Sequence, residues 1–270
     1  MGGPIAPNPL NHDAGDLSLI KAGALQRQIG ASLERVWENV ADWEHLPHLH
    51  NSSFSDITLQ DAGSWGWRAA LVAGGNPSIV ELVWDKAASR YVARTLEGNL
   101  QGMEIWTSLC VAGDHQTDID VEFWVPDMGA DINDRVGQAL VATYQTLWDE
   151  DEAMMQAREQ ALGTGRADDQ PIDLGGLEDV QHRLPLDVDM GGRTVRVLDV
   201  GGTLTAISLT CPHMLRPLDD CSVVDGVITC PWHGYRYDVA TGRSPDTPLT
   251  LTGDYSVKVD AQTGRVVLAK

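Results

Sequence analysis

Two short segments of the chain combine cysteine, proline and histidine, and their cysteines stand nineteen residues apart. The first segment is Cys211-Pro212-His213, and the second is Cys230-Pro231-Trp232-His233-Gly234. Each segment offers one thiolate and one imidazole, and both groups bind transition metals when they are deprotonated. Four such donors can hold an iron–sulfur cluster or a tetrahedral zinc ion. The pattern therefore predicts a metal centre with mixed cysteine and histidine ligands.

The distribution of ligands favours a cluster over zinc, because zinc fingers usually pair Cys with Cys and His with His. The segments resemble the ligand loops of Rieske [2Fe–2S] domains, in which two thiolates hold one iron and two imidazoles hold the other. The resemblance covers about residues 172–270 and implies Cys211, His213, Cys230 and His233 as the cluster ligands. Many family members have a small or glycine-containing turn after the first histidine, whereas this chain has Met214-Leu215-Arg216-Pro217.

A second group of chemically active side chains lies at the predicted end of the first helix, in segment 39–50. On a helix Asp42 and His45 share a face, whereas His45 and His50 diverge by about 140°. We expect Pro47 to interrupt the helix and allow His50 to turn back towards His45. His48 is the alternative ligand if the helix continues, and the histidines could also be ordinary polar loop residues.

A pair of histidines requires one carboxylate to complete a facial triad with open positions for dioxygen. Four acidic residues, 149–152, compete for this role in the predicted last helix. An apolar stripe contains Leu140, Tyr144, Leu147 and Met155, and Asp151 falls at its centre. The other three acidic residues are expected to point away or to the flanks. A buried carboxylate is costly unless it is paired or metal-bound, so Asp151 is the predicted ligand. A solvated acidic helix end is the alternative.

The spacing of Asn39, Asp42, His45 and His50 resembles the iron-binding segment of Rieske non-heme iron oxygenases. Glu150-Asp151, followed by Met154-Met155 and Gln156, resembles the segment that carries the third ligand of that family. The resemblance implies that His45, His50 and Asp151 hold mononuclear Fe(II), and that Asn39 and Asp42 take part in catalysis. In that family the aspartate links a cluster histidine to an iron-ligating histidine, usually between subunits of a trimer.

The order of the helices and strands that must position these residues predicts an α+β chain with two domains. Strands are predicted near 54–59, 66–72, 79–84, 91–96, 103–111 and 117–125, between a first helix capped by Ser32 and a long helix over about 131–161. This order resembles the helix-grip (START-like) fold over residues 22–162. Residues 1–21 are predicted as an N-terminal extension, 163–171 as a linker and 172–270 as a small all-β domain. The known oxygenases place the Rieske domain first, so the order here is reversed.

Composition narrows the classes of partner. A net charge of −20 disfavours nucleic acid, since binding to phosphates requires Lys and Arg. The charge is explained by solubility or by docking to a basic redox partner. We expect no membrane span, because no apolar run approaches eighteen residues. Four cysteines, of which Cys110 and Cys221 are predicted non-ligands, fit a cytoplasmic protein.

Taken together, the resemblance implies a homotrimeric oxygenase that uses dioxygen and electrons from a separate NAD(P)H-dependent reductase or a ferredoxin. Its reaction would hydroxylate or demethylate an apolar or aromatic small molecule. Six tryptophans are candidates for the pocket lining, with the core as the alternative: Trp43, Trp65, Trp67, Trp84, Trp106 and Trp124. Two other functions remain open. One is a ligand-binding protein with a Rieske electron-transfer or redox-sensing domain, and the other is a cyclase or isomerase.

Overall fold

The computed structural model of the protein describes residues 18–163, 170–251 and 255–270. Residues 1–17 of the predicted extension and residues 164–169 of the predicted linker lie outside the described residues. The chain divides into two compact units, Met1–Gln156 and Ala157–Lys270. None of the described helices combines the length and the apolar character that crossing a membrane requires.

The N-terminal unit is built on a seven-stranded antiparallel sheet with the strand order β1-β7-β6-β5-β4-β3-β2. Its elements are β1 (Ile20–Ile29), α1 (Leu33–Ala41), α2 (Leu46–Leu49), β2 (Phe54–Gly63), β3 (Gly66–Ala73), β4 (Asn76–Asp85), β5 (Arg90–Glu97), β6 (Glu104–Gly113), β7 (Gln116–Val125) and α3 (Ala130–Gly163). Strands β2 to β7 follow one another as hairpins, and β1 pairs with β7. A curved sheet with a long final helix is the predicted helix-grip fold, which is confirmed.

The core of this unit lies on the face of the sheet that packs against helices. Alternate residues of β7, including Val121 and Phe123, are fully buried there, as the two-residue period of a strand requires. Val36 of α1 and Trp148 of α3 belong to the same apolar cluster. Ser32 caps α1 by accepting a hydrogen bond from the backbone N–H of Arg35 at 3.4 Å, as predicted.

The opposite face of the sheet carries a ladder of alternating charges. Arg68, Glu81, Arg94 and Glu104 stand directly opposite one another on β3, β4, β5 and β6. Arg68 binds Glu81, and Nε of Arg94 donates to Oε1 of Glu104 at 3.0 Å. Both glutamates and Arg94 are buried, so each charge is compensated by its cross-strand neighbour.

The C-terminal unit contains three small antiparallel sheets, with the orders β11-β10-β9, β12-β13-β14 and β15-β16-β8. Its elements are β8 (Ile172–Gly176), α4 (Leu177–His182), β9 (Leu186–Asp189), β10 (Thr194–Val200), β11 (Thr203–Ser208), β12 (Val223–Val224), β13 (Val227–Thr229), β14 (Arg236–Asp238), β15 (Ser256–Val259) and β16 (Arg265–Ala269). Met190, Val195, Val197 and Leu268 are fully buried in its core. The predicted all-β class of this half is confirmed, and α4 is a short helix among the described strands.

Candidate functional site

The first cysteine-histidine segment forms a closed turn after β11. The backbone N–H of Cys211 donates to the carbonyl of Arg216 at 2.8 Å, and the N–H of Leu215 donates to the carbonyl of Cys211 at 3.0 Å. Leu215 adopts a φ of 62°, in the left-handed region that favours glycine. The departure from a glycine-containing turn therefore places a leucine in backbone geometry that costs a side chain about 1–2 kcal/mol.

The second segment, between β13 and β14, repeats this turn. The N–H of Cys230 donates to the carbonyl of Tyr235 at 2.8 Å, and the N–H of Gly234 donates to the carbonyl of Cys230 at 2.9 Å. Gly234, with a φ of 66°, occupies the position that Leu215 occupies in the first turn. The two cysteines thus stand at the same place in two equivalent turns.

The four side chains of these turns converge. The imidazole rings of His213 and His233 lie 4.4 Å apart between centroids and nearly perpendicular to each other. Both cysteines are 1% exposed. The hydrogen bond from the thiol of Cys230 lowers the pKa of Cys211 to about 6, and the hydroxyl of Tyr237, 3.3 Å from Sγ of Cys211, adds to this effect. The same bond to Cys211 raises the pKa of Cys230.

Two adjacent buried sulfurs and two adjacent imidazoles fit the two-thiolate, two-imidazole ligand set of a [2Fe–2S] cluster. The Rieske [2Fe–2S] domain family matches residues 170–255. The ferredoxin component of the naphthalene 1,2-dioxygenase/salicylate 5-hydroxylase systems of Ralstonia sp. is 31% identical over 90 residues, which cover 33% of this chain and 86% of that protein. The chain belongs to the Rieske [2Fe–2S] domain family.

Other relatives of the Rieske unit include the ferredoxin component of the naphthalene 1,2-dioxygenase system of Pseudomonas aeruginosa. It is 30% identical over 92 residues, which cover 34% of this chain and 88% of that protein. Among solved structures, the Zhui aromatase/cyclase from Streptomyces sp. R1128 superimposes with a TM-score of 0.45 and 14% identity, over 52% of this chain and 96% of that one.

The two remaining cysteines differ from Cys211 and Cys230 in their surroundings. Cys110 is exposed on β6. Burial, followed by a hydrogen bond to the Asp220 carboxylate, raises the pKa of Cys221 to about 11. Cys221 is therefore a protonated thiol at neutral pH, which is a poor metal ligand.

A second group of candidate ligands lies in the N-terminal unit. His45, His50 and Asp151 are all buried, and one ligand atom from each lies within 4.8 Å of the others. Nε2 of His50 lies 3.1 Å and Nε2 of His45 lies 3.5 Å from Oδ1 of Asp151. Two donors about 2.1 Å from one ion and at right angles to each other would be ~3 Å apart. The spacing and the donor types therefore fit a single divalent ion, with two histidines and one carboxylate.

A four-residue helix separates the two histidines. His45 immediately precedes α2 and His50 immediately follows it, and their ring centroids lie 5.1 Å apart. The prediction that Asp42 and His45 share one face of the first helix is wrong, because α1 ends at Ala41 and Asp42 has an extended backbone. Pro47 lies in the first turn of α2 rather than at a break within α1. His48 is exposed and outside the group.

Polar neighbours hold each of the three candidate ligands. Nδ2 of Asn39 donates to Oδ1 of Asp151 at 2.7 Å, and Oδ2 of Asp42 lies 3.5 Å from Nδ1 of His45. A carboxylate oxygen of Glu150 lies 2.6 Å from Nδ1 of His50. This contact corrects the expectation that Glu150 points away from the ligands. Because the bond to Glu150 occupies Nδ1, the Nε2 atom of His50 faces Asp151.

The carboxylates around His50 also change its protonation. Burial by itself lowers the pKa of His50, but the hydrogen bonds and charges of Asp151 and Glu150 outweigh burial, and the net pKa is raised. The group therefore has a net negative potential that attracts either a proton or a metal cation.

The tryptophans proposed for the pocket lie elsewhere. A cavity of about 460 Å³ lies in the N-terminal unit, and none of the six candidate tryptophans lines it. Trp67 belongs to the core cluster, and Trp43 and Trp84 pack against that cluster. Trp106 forms a separate apolar group with Trp65 and Trp124. These positions agree with the alternative given above, in which the tryptophans contribute to apolar packing rather than to the pocket lining.

Proposed function

We propose that this protein is a Rieske non-heme iron oxygenase component that hydroxylates or demethylates an apolar or aromatic small molecule. The observation that carries the proposal is the convergence of His45, His50 and Asp151 in a chain that also has a Rieske unit. The cluster would be held by Cys211, His213, Cys230 and His233. His45, His50 and Asp151 would hold Fe(II). Ferrous iron in such a ligand set supplies open positions at which dioxygen is activated.

The chain's own residues prepare this site before any ion binds. Glu150 accepts the Nδ1 proton of His50, which leaves Nε2 as the lone-pair donor. Asn39 donates to Asp151 and restricts the rotation of its carboxylate. Because all three ligands are buried, they are kept from bulk water. These residues would therefore give the ion a restrained set of two imidazoles and one carboxylate.

Asp42 is the proposed connection to the electron source. Its carboxylate faces Nδ1 of His45, where it can accept a hydrogen bond and orient the ring. We infer that the opposite side of Asp42 meets a cluster histidine of a neighbouring chain in a homotrimer, as the resemblance implies. Electrons would come from an NAD(P)H-dependent reductase or a ferredoxin. Support for such a partner comes from the relatives, which are named as ferredoxin components of dioxygenase systems.

The same relatives also favour a second candidate function. Because they are ferredoxin components rather than oxygenases, the Rieske unit can serve as an electron carrier without oxygen chemistry in this chain. The N-terminal unit would then bind a ligand, and the cluster would report or transfer an electron. The two functions differ in the number of iron atoms that the chain holds.

The test is the iron content of anaerobically purified protein together with the cluster's visible absorption. An oxygenase component should contain three iron atoms per chain, two in the cluster and one between the histidines. His45→Ala should lower the content to two, retain the cluster spectrum and abolish oxygenation. His48→Ala is the matched control and should retain three. Two iron atoms in the unsubstituted protein would support the electron-transfer function instead.

A further inference from the structure

The cavity of the N-terminal unit has two chemically different ends. Its buried floor is formed by Leu71, Ile105 and Leu147, together with one polar residue, Thr95. Its rim carries the exposed polar residues Ser52, Asn76, Asn99 and Thr143. A molecule that fills this space therefore places an apolar body on the floor and any hydrogen-bonding group at the rim.

Charge is the property that separates this cavity from the rest of the chain. Asp, Glu, Lys and Arg make up 21% of the sequence, yet none of the described residues that line the cavity is one of them, and none is histidine. An ion moved from water into such a space loses hydration, and no opposite charge among the lining residues compensates for the loss. The lining therefore discriminates against carboxylates and amines.

The size of the cavity limits the ligand further. A cavity of ~150 Å³ is enough for benzene, and this one measures about 460 Å³. We infer that it binds an uncharged molecule of two or three rings that carries a hydroxyl or carbonyl group at the rim end. Hydrogen bonds from the hydroxyl and amide side chains of the rim orient that group, and the largely apolar floor holds the ring system.

Three residues that line the cavity are also neighbours of the candidate iron ligands. The ring of Phe54 is 6.4 Å from that of His50 between centroids, and Leu147 precedes Asp151 by one helical turn. Burial and then the charge of Asp151 raise the pKa of Tyr144, which also lines the cavity. Any oxidation of a ligand in this cavity rests on the proposed function, whereas the selection of neutral ligands does not.

The test compares two probes of the same ring size, 2-naphthol, which is neutral at pH 7, and 2-naphthoate, which is an anion. Their binding to the full chain with its cluster is measured by calorimetry under argon, so that no oxidation occurs. We expect 2-naphthol to bind at least tenfold more tightly. Thr143→Arg places a cation at the rim and should reduce that preference by tenfold or reverse it. Asn99→Arg tests the same effect from the other side of the rim.

The matched control is Thr146→Arg, on the same helix but outside the cavity, which should leave the preference unchanged. Equal or tighter binding of 2-naphthoate to the unsubstituted protein would overturn the inference. So would no binding of either probe, or no change in preference with either rim variant. If 2-naphthol binds but is not converted when reductant and dioxygen are added, the proposed oxygenase function fails for this probe and the neutral selection stands.

Discussion

A carboxylate that does not itself bind a metal ion can change the metal affinity of a histidine to which it is hydrogen-bonded. The carboxylate of Glu150 lies 2.6 Å from Nδ1 of His50, where it can accept the Nδ1 proton and so increase the basicity of the Nε2 atom. Glu150→Gln should therefore lower the affinity of the N-terminal site for Fe(II) or Co(II) by about 10–100-fold, with all three ligands in place. Calorimetric titration of metal-depleted protein measures this effect, and the cluster's absorption should not change.

Asp149→Asn is the matched control for that substitution. Asp149 is the neighbouring acid on α3, but its carboxylate is 70% exposed and pairs with Arg27 rather than with a candidate ligand. Its loss should leave the metal affinity within about twofold, since exposed ion pairs contribute little. Equal losses of affinity in both variants would contradict a specific role for Glu150.

The candidate ligands could be predicted from their types and spacing, but their supporting partners could not. One Cys and one His in each of two short segments favour an iron–sulfur cluster over zinc, whatever the fold around the loops. Glu150 was expected at the flank of α3, because helical periodicity places only Asp151 at the centre of the apolar stripe. His50 comes from a distant segment of the chain, so no local pattern relates its ring to Glu150.

At the scale of elements, the charges of the ladder across β3 to β6 compensate one another on the outer face of the sheet. Arg94 lies between Glu81 and Glu104 and is 8% exposed. Arg94→Met should lower the free energy of unfolding by about 3–5 kcal/mol, because two buried carboxylates lose their shared cation. Urea denaturation measures the loss. Arg135→Met, on the exposed surface of α3, is the control and should change the free energy of unfolding by less than about 0.5 kcal/mol.

The approach of α3 to β1 requires a residue without a side chain at Gly137. A Cβ atom at this position would lie 1.9 Å from the carbonyl oxygen of Ala22, where the pairing of β1 with β7 shifts register. Gly137→Ala should therefore destabilise the protein by about 1–3 kcal/mol, although alanine favours helices. Gly163→Ala, at a helical glycine with open space around it, should be neutral or stabilising in the same thermal unfolding assay.

Elements were predictable where a single period dominates. The strands from Phe54 to Val125 alternate and end at turns, so their order was evident from the sequence. The end of the first helix was not, because the helical spacing of charged residues continues past Ala41. There the backbone of Asp42 turns to the extended region, and α2 begins anew at Leu46.

At the scale of the whole molecule, the net charge of −20 should control which electron donors reach the cluster quickly. The Debye length is ~30 Å at 0.01 M ionic strength and ~10 Å at 0.1 M, so at low salt a donor meets the field of the entire chain. Anionic donors are repelled by that field, and cationic donors are attracted to it.

Stopped-flow reduction of the cluster by two donors of opposite charge tests this effect. Reduction by dithionite, whose active species is an anion, should accelerate several-fold between 0.01 M and 0.2 M salt. Reduction by the methyl viologen radical cation should slow over the same range, because screening removes its attraction. If the two reduction rates change in opposite directions with ionic strength, docking to a basic reductase is supported as a role of the acidic surface. If both rates change in the same direction, or neither changes with ionic strength, the charge is assigned to solubility alone.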